Sequence, residues 1–426
     1  MIKKIIAAVA VLAFGAVGFF CGFYYHDYFV DPEYVSLKFI IENYKKYYLE
    51  EQENYIEIMG DSLLDSYSDY YTAEDYAIIQ KTAQGVRAGI GITFSGYQTE
   101  YYIYNVLGNS PAEKAGVKSG GLIKGIKEDS DSAFLDLTYD AFVKKMESIP
   151  VGKQFELRVD YDGEVKTFSL AKSEYNETYV FYTDKDGSFR FSDQDGELKF
   201  VSYQYDLGVD LPEDTAYIKY TSFNGLSGDL YGSANQFKVA LQKFKENGRK
   251  KLIIDLRNNG GGFMNIMCEI ASHLVCAQDG SKVLISKAIY KDGKEDKFNS
   301  PRTDYYDYGF EKIVFLANSG TASASEALIG ACLDYDGLRN IVRVVLSRSS
   351  DGKYKTYGKG IMQTTIENRI SGEAIKLTTA KIYWPTSDTC IHGVGITKSL
   401  TAFSDKIIEA QYMENVDYEL IAALSI

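Results

Sequence analysis

The spacing of hydrophobic positions changes from one region of the chain to the next. Residues 5–25 are a continuous apolar run without a charge. Between residues 33 and 60, apolar positions recur every three to four residues, which predicts helices. Residues 85–171 show strand patterns alternating with two helices. After residue 212, nearly continuous apolar runs are followed by helical patterns, which is typical of buried parallel strands in an α/β region.

The first apolar run has the length of a membrane span, since about 20 residues cross the hydrocarbon core. Lys3 and Lys4 precede the run and acidic residues follow it, so the positive-inside rule places the tail in the cytoplasm and the remainder outside. A cleaved signal peptide shares this charged start and apolar run. Because bulky Phe and Tyr residues end the run where a small-x-small site would be, we predict a retained single-pass anchor over residues 1–30. Secretion after signal cleavage is the alternative.

Two apolar runs of the α/β region end in turns of unusual composition. The run at residues 251–256 is followed by Gly260, Gly261 and Gly262, and the run at residues 312–317 by Thr321-Ala322-Ser323-Ala324-Ser325-Glu326. Open α/β sheets bind ligands at the carboxyl ends of their strands. A hydroxyl at the start of the following helix lies beside unpaired amides and the positive end of the helix dipole. The alternative is that Ser323 and Ser325 only cap the helix.

A serine nucleophile needs a base, and histidine is a poor candidate in this chain. Of three histidines, His26 lies at the predicted membrane edge, and neither His273 nor His392 has a partner acid in a recognisable motif. A lysine can replace histidine when burial keeps its amine neutral. Lys359 lies between two glycines, four residues before Gln363, although most glycine-flanked lysines are solvated. Lys353 and Lys355 are rival bases that lack both features.

Together these motifs resemble the C-terminal processing peptidase family, the serine/lysine peptidases related to tail-specific proteases. Asp255-Leu256-Arg257, Tyr357-Gly358-Lys359-Gly360 and the segments at residues 376–381 and 392–396 extend the resemblance over nearly the whole chain after the apolar run. The resemblance implies Ser323 as nucleophile, Lys359 as general base and Gln363 as the residue that orients the lysine. It also implies an oxyanion hole formed by the backbone amides of Ala324 and of Gly261 or Gly262.

Residues 85–171 resemble a PDZ domain. The loop Gly89-Ile90-Gly91-Ile92 offers successive backbone amides that can hold a peptide's terminal carboxylate while the peptide adds a strand to the sheet edge. The alternative is a small β-domain with ordinary glycine turns. Gly121 and residues 149–152 depart from the family pattern.

The predicted fold class is multidomain α+β, with a transmembrane helix and helical region, a PDZ-like β-rich domain and an α/β catalytic core similar to the Clp-protease/crotonase fold. The predicted boundaries are 1–30 for the anchor, 31–84 for the N-terminal helical region, 85–171 for the PDZ-like domain, 172–212 for inserted β hairpins and 213–426 for the serine peptidase core.

Net charge and cysteine spacing argue against two further kinds of site, for nucleic acid and for metal. A net charge of −13 without a basic run argues against nucleic acid as a partner. The cysteines show no metal-ligand spacing, so we predict no metal and no cofactor. Glu326 is interpreted as a helix-capping acid and Asp334 as structural, because a helix would place Asp334 roughly 16 Å from Ser323.

The predicted function is that of a membrane-anchored, extracytoplasmic serine endopeptidase that cleaves polypeptides near or from their C-termini. One alternative is a catalytically inactive, PDZ-containing protein that binds peptides. Another is an acyl or ester hydrolase with the same dyad. The oligomeric state, including a homo-oligomer, stays open.

Overall fold

The computed structural model describes residues 17–18, 32–47, 55–97, 100–194, 196–301, 307–411 and 416–426. Apart from residues 17 and 18, the predicted membrane span lies outside these ranges, and so does His26. Within the described ranges, none of the helices has both the length and the apolar composition that a membrane crossing needs. The chain divides into two compact units, residues 1–64 and 65–426.

The first unit is helical where it is described. Its helices are α1 (Pro32–Tyr47) and α2 (Tyr55–Ser62). Glu33 lies in the first turn of α1, and Lys45 and Lys46 lie in its last turn. These charges match the helix dipole at both ends, which favours a helix at this position.

The second unit opens with a short strand inside the region that the sequence predicts as helical. This strand, β1 (Asp69–Tyr71), precedes helix α3 (Ala73–Ala83), whose N-cap Thr72 accepts a hydrogen bond from the Asp75 amide. The strand forms because it pairs with a strand some 300 residues later in the chain, a contact that local spacing does not encode. The prediction of a helical region at residues 31–84 does not include this strand.

A five-stranded antiparallel sheet occupies residues 92–171, with the strand order β3-β4-β5-β6-β7. Its strands are β3 (Ile92–Tyr97), β4 (Glu100–Val106), β5 (Leu122–Glu128), β6 (Gln154–Tyr161) and β7 (Glu164–Ala171), with helices α4 (Pro111–Lys114) and α5 (Tyr139–Ser148). Phe155, Leu157 and Val159 alternate along β6 and are buried, as strand geometry requires. Phe142 of α5 packs in the same small core. A separate ribbon pairs β2 (Val86–Gly89) with β8 (Ser173–Asn176).

The largest sheet has eight strands in the order β11-β10-β9-β12-β13-β16-β17-β20. They are β9 (Val180–Asp184), β10 (Gly187–Gln194), β11 (Glu197–Ser202), β12 (Thr215–Tyr220), β13 (Lys251–Asp255), β16 (Lys312–Ala317), β17 (Val342–Leu346) and β20 (Ile407–Glu409). The last five strands in the order are parallel to one another, and β9 pairs antiparallel with β12. The hairpins predicted at residues 172–212 therefore extend the same sheet as the core strands.

Helices cover both faces of the parallel strands. One face packs against α6 (Ser233–Glu246), α7 (Met264–Ala271) and α8 (Ala324–Asp334), and the opposite face against α9 (Tyr418–Ser425). Because both faces are covered, four of the five residues of β13 are buried, and so is Leu256 directly after it. The second unit is thus a mixed α/β structure.

A third sheet lies beside the core and has the order β1-β19-β14-β15, with β18 on the other side of β19. Its later strands are β14 (Leu284–Tyr290), β15 (Glu295–Asn299), β18 (Ile361–Glu367) and β19 (Ala374–Tyr383). Strand β18 directly follows the Gly358-Lys359-Gly360 segment, so this sheet positions the predicted base.

Candidate active site

Ser323 lies at the turn between strand β16 and helix α8. Its φ of 57° and ψ of −118° are an uncommon conformation for a residue with a side chain. Such strain costs on the order of 1–3 kcal/mol and persists only where the surroundings enforce it. A strained serine at a strand-to-helix turn presents its hydroxyl beside the first free amides of the helix.

Hydrogen bonds from the neighbouring strand end hold this turn in place. The Thr321 hydroxyl donates to the carbonyl of Leu256 at 2.8 Å, and the Ala322 amide donates to the carbonyl of Asn259 at 3.0 Å. Ser325, the other candidate helix cap, is buried and donates its hydroxyl to that same Asn259 carbonyl at 2.9 Å. Ser325 therefore fastens the turn to the glycine loop, and Ser323 is the serine left facing the cavity.

The glycine loop approaches Ser323 closely. A Cβ on Gly261 would lie 2.9 Å from the Ser323 Cβ and 2.8 Å from the Ala324 nitrogen, and the Gly261 φ of 102° also favours glycine. The Gly261 amide donates to the Asn259 side chain at 2.9 Å. Among the described residues, the amides of Gly262 and Ala324 have no acceptor. Of the two glycines named as candidate oxyanion donors, Gly262 is therefore the one with an available amide.

Lys359 and Ser323 line the same cavity, which has a volume of about 460 Å³. Burial of the half-buried Lys359 lowers the pKa of its amine, and the nearby Lys376 ammonium lowers it further. Both effects favour the neutral amine that a general base needs. Neither rival lysine lines this cavity, and the ammonium of Lys353 is paired with Asp351 at 3.4 Å on the surface.

Gln363 lines the cavity but does not orient the lysine in this structure. Its Nε2 donates to the Thr378 hydroxyl at 3.3 Å, and no hydrogen bond joins Gln363 to Lys359 in the described part of the chain. The Lys359 amine instead lies over the ring of Tyr67, 5.1 Å from the ring centroid. Nothing in the sequence around Tyr67 signals this contact.

Glu326 joins the nucleophile turn to the lysine segment, a role that the sequence interpretation as a helix cap does not include. Its Oε2 accepts the amides of Ser323 at 3.0 Å and Lys359 at 2.9 Å. Its Oε1 accepts the Gly358 amide at 2.8 Å and the Thr356 hydroxyl. Burial raises the pKa of the Glu326 carboxyl, and these four donated hydrogen bonds oppose that rise. The spacing of a serine and a glutamate three residues later predicts only the hydrogen bond between Glu326 and the Ser323 amide. It does not predict the bonds to residues 356–359.

The described histidines and Asp334 do not line the cavity. The buried His273 places its Nδ1 2.8 Å from the Tyr308 hydroxyl, and His392 is exposed. Neither lines the Ser323 cavity. Asp334 accepts the amides of residues 386 and 387 at 2.7 and 2.8 Å, which is a structural role at the end of α8.

Much of the lining of this cavity is apolar. It includes Phe263, Met264, Phe298, Ile361, Ile382, Trp384 and Ile391. This combination of a hydroxyl, an amine of lowered pKa, free amides and an apolar lining is suited to acyl transfer on a substrate that brings an apolar group.

The Gly89–Ile92 loop lies at the start of the five-stranded sheet. The carbonyls of Ile90 and Gly91 accept the amides of Ala112 at 3.0 Å and Leu107 at 2.8 Å. The amides of Ile90 and Gly91 themselves have no acceptor within the described ranges. A Cβ on Gly91 would lie 2.1 Å from the Ser110 Cβ, so only glycine fits at this position.

Residues 214–401 match the family model described as Peptidase family S41. A probable CtpA-like serine protease of Staphylococcus saprophyticus subsp. saprophyticus is 28% identical over 345 residues, which is 80% of this chain and 58% of the relative. A probable CtpA-like serine protease of Staphylococcus epidermidis is 28% identical over 387 residues, 87% of this chain and 66% of the relative. The chain thus spans less than two thirds of the length of these relatives.

Solved structures resemble the chain more distantly. The photosystem II D1 C-terminal processing protease is 20% identical with a TM-score of 0.44, and the match covers 89% of this chain and 86% of that chain.

Proposed function

We propose that the chain is a serine endopeptidase of the S41 type that cleaves polypeptides near or from their C-termini, a proposal supported by the match of residues 214–401 to the family model. One observation carries the proposal: Ser323, held in a strained turn at the start of α8, shares a cavity with Lys359, whose pKa is lowered by burial. The relatives' description as CtpA-like serine proteases supports the reaction class.

The geometry suggests how each group acts in this mechanism. The neutral amine of Lys359 takes the proton of the Ser323 hydroxyl as its oxygen attacks the peptide carbonyl, and the resulting ammonium later protonates the leaving amine. The amides of Ala324 and Gly262 donate to the developing oxyanion, and each such donor contributes roughly 3–4 kcal/mol. Water then hydrolyses the acyl-enzyme on Ser323 with the lysine again acting as base.

Substrate recognition and location belong to the same proposal. Residues 85–171 act as a PDZ domain whose free Ile90 and Gly91 amides bind the substrate's terminal carboxylate, while the edge strand β3 pairs with the peptide. Residues 1–30 anchor the chain in the membrane with the catalytic part outside the cytoplasm. No metal or cofactor takes part in the mechanism.

The test is cleavage of an unfolded protein by the purified full chain, compared with Ser323→Ala and Lys359→Ala. We expect both variants to be inactive, with wild-type activity rising from neutral to alkaline pH as Lys359 loses its proton, and with its midpoint below the ordinary lysine value of 10.5. Equal cleavage by all three proteins would refute the assignment, as would a flat pH profile. Cleavage of small esters without cleavage of peptides would point to an acyl hydrolase instead.

A matched pair of peptides tests carboxylate recognition. The two peptides have the same sequence, and one ends in a free carboxylate while the other ends in an amide. We expect a lower KM for the free carboxylate, because only an anion gains from the amides of Ile90 and Gly91. Identical KM values would remove the PDZ part of the proposal and leave the peptidase part standing.

A further inference from the structure

Residues 65–71, here called the strap, lie against the lysine side of the cavity. Strand β1 within the strap pairs with β19 in the register of Asp69 with Lys376, and these two side chains form an ion pair. The Ser68 hydroxyl accepts the Thr378 amide at 3.0 Å. The strap is therefore fixed to the sheet that borders the cavity.

One strap residue, Tyr67, touches the predicted base directly. Its ring centroid is 5.1 Å from the Lys359 amine nitrogen. Its hydroxyl donates to the hydroxyl of Tyr357 at 3.4 Å, and the Tyr357 amide in turn donates to the Thr321 carbonyl at 3.0 Å. Tyr67 is thus bonded to the lysine segment, and that segment is bonded in turn to the nucleophile turn.

The residue assigned to orient the lysine bonds elsewhere. Gln363 donates to Thr378, whose amide is bonded to Ser68 of the strap. The Lys359 backbone is fixed by Glu326, but the amine at the end of its four-carbon side chain has only the Tyr67 ring as a described contact.

We propose that Tyr67 is a positioning residue for Lys359. The Tyr67 ring holds the lysine amine at the cavity wall between catalytic cycles. This inference rests on the proposed function, because it assigns Lys359 as the base. A cation over an aromatic face is stabilised relative to the neutral amine. The Tyr67 ring therefore favours the protonated resting form, from which the amine must lose its proton before it acts.

Other charges also face the lysine amine. They are the Lys376 ammonium on β19, the Glu326 carboxylate on α8, and the carboxylates of Asp65 and Asp69 on the strap. Lys376 favours the neutral amine, whereas the three carboxylates favour the ammonium. None of these groups is changed by a substitution at Tyr67, so a shift seen in such a variant reports the loss of the ring.

The experiment measures the pKa of Lys359 by competitive acetylation of the full chain over a pH series, with mass spectrometry of the peptide that contains the lysine. Tyr67→Leu keeps an apolar cover and removes the aromatic face. We expect this variant to lower the pKa of Lys359 by about 0.4–1.5 units. Tyr67→Phe, which keeps the ring, should leave the pKa near the wild-type value, and Tyr67→Trp should raise it.

Tyr70→Leu is the matched control on the same strap. The Tyr70 hydroxyl donates to the carboxylate of Glu373, the residue before β19, at 2.9 Å. We expect no pKa change in this variant. A Tyr67→Leu protein with the wild-type pKa, or with a raised pKa, would overturn the inference, since a raised pKa would mean that the ring only excludes water. A shift of equal size in Tyr67→Phe would place the effect in the hydroxyl and overturn it too.

Activity supplies the second readout. At pH values below the pKa, the lowered pKa of Tyr67→Leu should raise kcat/KM by about 3- to 30-fold, while the loss of positioning lowers kcat on the alkaline plateau. A pKa shift by acetylation in a chain without peptidase activity would support the contact and refute the proposed function. Peptidase activity of the wild type, together with an unchanged Lys359 pKa in Tyr67→Leu, would support the proposed function and refute the role of Tyr67.

Discussion

The substitution Glu326→Gln tests the link between the nucleophile turn and the lysine segment. The side chain is fully buried and all four of its partners are donors. A carboxamide has only one acceptor oxygen. If that oxygen occupies the Oε2 position, it keeps the amides of Ser323 and Lys359 but leaves the Gly358 amide facing an NH2 group. The reverse orientation leaves two backbone amides without an acceptor.

The magnitude follows from this count. One buried amide without an acceptor costs about 1–3 kcal/mol, so the better orientation sets that as the minimum loss of stability. For a domain of about 150–250 residues, this lowers the Tm by roughly 2–12 °C. A shift of about 1 Å in Ser323 or Lys359 would lower kcat on the order of 10²-fold.

The assay combines differential scanning calorimetry with kcat on an unfolded protein substrate. Glu74→Gln is the control, because it removes the same charge from an exposed residue in the first turn of α3. We expect the control to match the wild type in both measurements. A Glu326→Gln protein with unchanged Tm and unchanged kcat would refute the reasoning.

Three further predictions concern the same core. Lys359→Met should abolish activity and raise the Tm at pH 7, because burial disfavours the ammonium in the folded state. The gain in Tm should shrink as the pH rises towards 10.5, where the lysine of the unfolded chain also loses its proton. A Tm of the variant below the wild-type value at pH 7 would contradict this prediction. Gly330→Ala places a Cβ 2.1 Å from Nε1 of Trp384, the single tryptophan. The substitution should therefore lower the free energy of unfolding by about 1–3 kcal/mol and alter the tryptophan fluorescence. An unchanged fluorescence spectrum would argue against this contact. Asp334→Ala should lower the Tm, since the amides of residues 386 and 387 each lose their acceptor and each loss costs about 1–3 kcal/mol of stability. The kcat should stay nearly unchanged. A large loss of kcat would instead indicate a catalytic role for Asp334.

Local patterns in the sequence determine the parts of this protein that depend on neighbouring residues. The apolar runs at residues 251–256 and 312–317 predict buried strands, because a strand covered on both faces needs apolar residues at every position. The motif resemblance to the peptidase family is confirmed by the family match. The individual site roles of Ser323 and Lys359 remain predictions that the proposed experiments test.

Tertiary structure alone decided the contacts between residues far apart in the chain. Glu326 reads as a local cap in the sequence, yet three of its four hydrogen bonds reach the loop at residues 356–359. Strand β1 forms only because β19 pairs with it, and Gln363 bonds Thr378 although its sequence position points to Lys359. Tyr67 meets the lysine amine across nearly 300 residues. The physical reason is that hydrogen-bonding capacity is a property of each residue, whereas the choice among available partners depends on how the packed chain brings them together.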